Sequence, residues 1–241
     1  MSANPVGILA AMDSEAAQLL AAMEGRREEQ HAGMKCHCGF IGGVPVVVAR
    51  CGIGKVNAAR TAQLLIDIYS PRVIINNGIA GGLAPDLHVG DIIVGEKLVE
   101  HDFDLSPIGY VRGALAPSDT PKVPTWFEAS SDVTEKLRQA AVACAPGRCV
   151  RAGRIASGDI FVASAELKQQ LNELFQADAA EMEGAAIAHV AQYSGTPFAV
   201  LRVISDLANG EAPASFDEFE KETADLSAKI IMEYCRMSAE G

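Results

Sequence analysis

Residues 56–82 read VNAARTAQLLIDIYSPRVIINNGIAGG, and the order of events within them decides the fold. From 56 to 69, Ala, Leu and Ile recur at the spacing of one helical face, and Pro71 stops the helix. Val73-Ile74-Ile75 follows at once and is apolar on both faces, as a strand covered on both sides must be. Helix and then buried strand is the alternation of an α/β chain.

The alternation continues outward in both directions. Residues 6–11 read as a short buried strand and 14–23 as a helix, with Met12, Asp13 and Glu15 at the junction. The extended runs 34–40 and 44–50 flank Ile41-Gly42-Gly43, a turn composition that pairs them antiparallel. Further strands are expected at 91–99, 154–157 and 198–204, and helices at 165–175, 182–193 and 216–237. The expected architecture is α/β, a mixed β-sheet flanked by helices in one domain spanning residues 1–241. Residues 106–124, broken by Pro107, Pro117 and Pro121, read as a surface loop.

Composition narrows the function. A net charge of −11 and a pI near 4.9 oppose nucleic-acid binding by counterion release, which needs clustered Lys and Arg. No signal-like N-terminus and no apolar run of bilayer length is present in the sequence, so a soluble cytoplasmic protein is expected. The cysteines at 36, 38, 51, 144, 149 and 235 lack the paired spacing of a zinc site and read as free thiols. In Cys36-His37-Cys38, a strand turns both sulfurs to one face and the imidazole to the other.

Glycines gather in Cys51-Gly52-Ile53-Gly54-Lys55 and in Asn77-Gly78-Ile79-Ala80-Gly81-Gly82, where backbone amides can approach a ligand. Neither run is a dinucleotide fingerprint or a P-loop, because Asn57 stands where a third glycine belongs and no Lys-Ser/Thr ending follows. Glu15, Gly81, Arg202, Ser205 and Asp206 fall near strand ends, where open α/β sheets bind ligands. By itself Asp206 reads as a turn or cap aspartate. Glu181-Met182-Glu183 opens a helix, and a carboxylate there is favoured in its ionised form, which suits electrostatic stabilisation.

Together, Met12, Glu15, Gly52-Ile53-Gly54-Lys55, Gly81-Gly82-Leu83-Ala84-Pro85, Val89-Gly90-Asp91, Ser157-Gly158-Asp159, Glu181-Met182-Glu183, Arg202-Val203-Ile204-Ser205-Asp206 and Ser215-Phe216-Asp217-Glu218-Phe219 resemble the methylthioadenosine/S-adenosylhomocysteine nucleosidases. The likeness runs in order along the chain and is weakest between residues 111 and 150. It implies a nucleoside-phosphorylase-like three-layer α/β/α fold, a homodimer, an adenine nucleoside as small-molecule partner, and no metal or organic cofactor. On this resemblance Asp206 is the general acid at adenine N7, Glu15 activates water, and Glu183 holds the ribose with Glu181 and Met182 beside it. Arg202 and Ser205 complete the polar surround, Phe161 and Val162 meet the base, and Phe216 covers the base or the ribose. Met12, Ile53, Ile79, Ala80 and Gly81 complete the expected substrate contacts.

One position departs from the pattern. Ile79 stands where members of this family often carry serine, and hydrolysis is expected to survive because Glu15 and Arg202 remain. The same template serves 5′-deoxyadenosine and 6-amino-6-deoxyfutalosine, so the 5′-substituent stays open. Two rival functions are a purine nucleoside phosphorylase, disfavoured because no arginine precedes Arg26, and a nucleoside-binding protein without turnover. A binding pocket has no use for both an acid and a water activator. The loop around Ile108, Tyr110 and Pro117 is expected to reach a neighbouring subunit's site.

Overall fold

A computed structural model describes residues 4–116, 120 and 122–239. In chain order the elements are β1 (Val6–Ala10), α1 (Asp13–Ala22), β2 (Glu24–His31), β3 (Met34–Ile41), β4 (Val44–Arg50), α2 (Lys55–Tyr69), β5 (Val73–Gly82), β6 (Ile92–Glu100), β7 (Phe127–Glu128), α3 (Ser131–Cys144), β8 (Val150–Ser157), α4 (Ala165–Phe175), β9 (Ala179–Glu181), α5 (Gly184–Tyr193), β10 (Phe198–Asp206) and α6 (Ala212–Ala239). Within residues 106–124 the described part holds one short 3-10 turn, Ser106–Ile108, and Pro117 and Pro121 lie outside the described residues.

The strands form one mixed sheet, and β5 is its pivot. One edge of β5 pairs in parallel with β1 as far as Asn76, and the other pairs in parallel with β10. Beyond β1 come β4, β3 and the outer strand β2, the β3–β4 pair being the antiparallel hairpin that the glycine turn requires. Beyond β10 come β6, β8 and β9, and β9 returns to β5 at Gly81 and Gly82. Strands β5, β10, β6, β8 and β9 thereby close into a ring, with the others as an open wing. On the edge of β5 between its two partners, residues 77–80 face the head of α1.

Adjacent residues of β1 show both buried faces. Ile8 belongs to one buried cluster with Leu19 of α1, Leu137 of α3 and Ile231 of α6, whereas Leu9 belongs to another with Ala62 and Leu65 of α2 and Ile187 of α5. The sheet is thus sandwiched between helical layers, the expected arrangement. Cys36 and Cys38 face the α2 side in that second cluster.

Several elements differ from expectation. The glycine-rich run 77–82 continues β5 beyond the apolar Val73-Ile74-Ile75, because β10 supplies ladder partners as far as Gly81. Strand β2, EGRREEQH, has no apolar face and is held by its pairing with β3; its charges discourage further pairing along the open edge. Helix α3, whose buried face is Thr134, Leu137, Ala140 and Ala141, and the short strands β7 and β9 were not expected. Helix α5 starts at Gly184, since Glu181 still belongs to β9, and α6 starts at Ala212. No helix among the described residues is long and apolar enough to cross a membrane.

Candidate active site

A cleft of about 500 Å³ lies over the gap in the β5 edge. At its floor, Glu15 is buried in the first turn of α1, and main-chain amides hold its carboxylate. Oε2 accepts from the amides of Ala11 at 2.8 Å and Met12 at 3.0 Å, and Oε1 accepts from that of Ile79 at 3.1 Å. Burial pushes the Glu15 pKa upward, against the opposing pull of Arg202 and these amides. Close approach demands glycine at 78, where a Cβ would lie 2.5 Å from Glu15 Oε1 and 3.2 Å from Arg202 Nη1. Gly78→Ala is expected to displace Glu15, lowering kcat and costing about 1–3 kcal/mol of stability. Unchanged kcat and an unchanged denaturant midpoint would contradict that.

Arg202 lies behind the cleft wall, 1% exposed, pointing from β10 across β5. It donates to the Asn76 side chain, the Leu201 carbonyl and Glu181, and its Nη2 lies 3.9 Å from Glu183 Oε2. Glu181, at the end of β9, also accepts from the Ser157 hydroxyl and from the amides of Glu183 at 3.1 Å and Gly184 at 2.7 Å. Burial alone pushes the Glu181 carboxyl up, but Arg202 and these donors bring it below the ordinary range.

Glu183 receives the Gly54 amide at 2.9 Å and is pushed up to about 8 by burial and by the charge of Glu181. The expectation that a carboxylate at this helix start is ionised therefore holds for Glu181, which takes the helix amides, and is corrected for Glu183, which does not. Between its ordinary value of 4.5 and about 8, folded Glu183 keeps a proton that the unfolded chain has released. Its contribution to stability is fully present below 4.5 and is lost as pH rises through about 8. Glu183→Gln removes this titration, so its melting temperature should gain on wild type between pH 5 and 8; parallel curves would exclude such a shift.

Asp206 ends β10 at the far side of the cleft, 2% exposed. Its Oδ1 accepts from the Ala208 amide and its Oδ2 from the Ser205 hydroxyl, at 2.8 and 2.9 Å. Burial raises its pKa above the usual aspartate range, against those two donors and the charge of Lys168. Phe161, 46% exposed, meets Phe216 of α6 edge-on at a centroid separation of 5.7 Å.

The cleft wall takes in Glu15, Glu183 and Asp206 together with Met12, Ile53, Ile79, Ala80, Gly81, Phe161, Glu181, Met182, Ser205 and Phe216. Val162 is buried in an adjoining recess that shares Phe161 and Asp206. Arg202 alone of the expected residues lines neither space and acts from behind. Sequence reasoning gave no role to Asn76, the Gly54 amide or Ser157, which orient Arg202, Glu183 and Glu181. Ser157 belongs to the Ser157-Gly158-Asp159 motif, but only the β8–β9 pairing brings it to Glu181.

The chain is similar to known proteins along nearly its whole length. The model of the phosphorylase superfamily matches residues 5–236. A 5′-methylthioadenosine/S-adenosylhomocysteine nucleosidase of Geobacillus kaustophilus (strain HTA426) is 38% identical over 226 residues, 93% of this chain and 94% of its own length. The nucleosidase of Neisseria meningitidis, solved in complex with methylthio-immucillin-A, superposes with a TM-score of 0.90 at 35% identity, covering 98% of this chain and 100% of its own. Futalosine hydrolase of Helicobacter pylori strain 26695 superposes at 0.88 and 35% identity, covering 96% and 97%. Matched over nearly its whole length in sequence and in fold, the chain belongs to the phosphorylase superfamily and, within it, to the 5′-methylthioadenosine/S-adenosylhomocysteine nucleosidase family.

Proposed function

We propose that this protein hydrolyses the N-glycosidic bond of 5′-substituted adenine nucleosides, with methylthioadenosine and S-adenosylhomocysteine as first candidates and 5′-deoxyadenosine and 6-amino-6-deoxyfutalosine as further ones. The observation that carries the reading is the convergence of Glu15, Glu183 and Asp206, remote in sequence, on one largely apolar cleft. Breaking the C1′–N9 bond builds positive charge on the sugar and negative charge on the base. Asp206, whose burial favours the protonated form, donates to N7 and makes adenine a neutral leaving group. Glu15 orients water and removes its proton. Glu183 holds the ribose hydroxyls, and Glu181 with Arg202 fixes the backbone from which it projects.

Hydrolysis is favoured over phosphorolysis because no Arg or Lys lines the cleft among the described residues, and Arg202 is engaged by Asn76 and Glu181. Adenine release from a panel of these nucleosides and inosine, with and without phosphate, tests the assignment. Phosphate-independent release is expected. Obligatory phosphate with ribose 1-phosphate as product would make the enzyme a phosphorylase, and tight binding without release would make it a nucleoside-binding protein.

The chain works as one domain and as a cytoplasmic homodimer in this reading. Free thiols throughout suit a reducing compartment. Ile53 and Phe161 stand half-exposed on the cleft wall, Val56 and Ile108 are more exposed still, and a second copy carrying Ile108 and Tyr110 toward the cleft would cover such side chains. A fully active monomer in sedimentation would exclude a shared site.

A further inference from the structure

Lys168 sits in the first turn of α4, whose N-cap Ser164 accepts from the Leu167 amide at 3.2 Å. A cation opposes the dipole at that end of a helix, so Lys168 does nothing there for α4. Its half-buried ammonium turns inward and donates to two main-chain carbonyls, Gly82 of β5 at 2.9 Å and Leu207 at 2.8 Å. The second contact matters most, because the Leu207 carbonyl and the Ala208 amide belong to the same peptide group. That amide is the donor to Asp206 Oδ1.

The peptide is held in an uncommon conformation. Ala208 has φ of 50°, a region that residues bearing a Cβ seldom enter. Opposite it, a Cβ on Gly81 would stand 3.1 Å from Ala208 Cβ and 3.0 Å from Asp206 Oδ1, so the glycine makes room for both. An ammonium thus pulls on the oxygen of a peptide whose hydrogen grips the carboxylate.

We propose that Lys168 is a positioning residue for Asp206, acting through the Leu207–Ala208 peptide to orient the carboxyl group and to set the pH at which it releases its proton. The inference rests on Asp206 being the general acid. A cation here favours the carboxylate, directly and by polarising the peptide's N–H. It offsets the burial that would otherwise keep the proton from leaving. The other groups around Asp206 are the Ser205 hydroxyl on its own strand, main chain from β5 and Phe216 from α6; across the cleft stand Glu181, Glu183 and Glu15, answered by Arg202.

The test is the pH dependence of kcat/KM for wild type, Lys168→Gln, Lys168→Met and Lys168→Arg. Glutamine keeps N–H donors for the carbonyls without the charge, and it decides the matter if the methionine variant fails to fold. Loss of the charge should move the falling alkaline limb to higher pH by about one unit and lower the plateau kcat severalfold with little change in KM. Arginine should restore the wild-type limb. A limb that stays in place in both neutral variants, as one belonging to Glu183 would, overturns the inference. Asp206→Asn assayed alongside separates the two readings: if it is active the acid assignment falls, and if it is inactive while the limb is unmoved only the role of Lys168 falls.

Discussion

Asp206→Asn is expected to fold, to bind nucleoside with nearly unchanged KM, and to release adenine about a hundred- to ten-thousandfold more slowly than wild type. The expectation follows from what asparagine keeps and loses. Its carbonyl oxygen can still accept from the Ala208 amide or the Ser205 hydroxyl, so the turn that ends β10 needs no rearrangement. What it lacks is a proton to give. Without that proton the base departs as an anion, and the apolar cleft makes such an anion costly. Adenine release under saturating substrate and a melting curve measure the two halves of the statement. Turnover near the wild-type rate would remove Asp206 from the mechanism.

The largest effect on stability should come from Arg202→Met. Methionine fills similar volume, but it leaves Glu181 buried and without its counter-charge, and Glu183 and Glu15 lose a favourable neighbour. Breaking a buried pair from one side costs on the order of 3–5 kcal/mol. At roughly 2–4 °C per kcal/mol for a chain of this size, melting should fall by about 10 °C. The deficit depends on pH with a definite sign. Glu181 is held below the ordinary carboxylate range, so the stability it shares with Arg202 is present above that range and lost as pH falls through its folded value. Wild type and variant should converge in acid. Equal melting temperatures at neutral pH would show that Arg202 stabilises nothing.

The fold was legible where burial leaves a pattern. Residues 56–75 carry a helical period, a proline stop and an apolar strand, and these become α2 and the first half of β5. Strand β2 was illegible because pairing holds it without burying it, and β9 because three residues are too few to show a period. The cleft residues were legible through family resemblance, and the structure brings them onto one wall. The amide donors from Gly54, Ile79 and Ala208 could not be read, because a main-chain N–H is the same for every residue but proline and only the tertiary fold aims it. The opposite fates of Glu181 and Glu183, two residues apart, were hidden for a similar reason. They depend on which of them reaches Arg202 and the helix amides.

Holding Glu15 by main chain also frees the side chain of residue 79 from any part in fixing that carboxylate. The atom of residue 79 that steadies the carboxylate is its nitrogen, while its side chain lies on the cleft wall. Exchanging isoleucine for another non-proline residue can therefore reshape the cleft wall without unfastening Glu15. Variation at that one codon can thus change the outline of the cavity while the clasp on the neighbouring helix stays as it is.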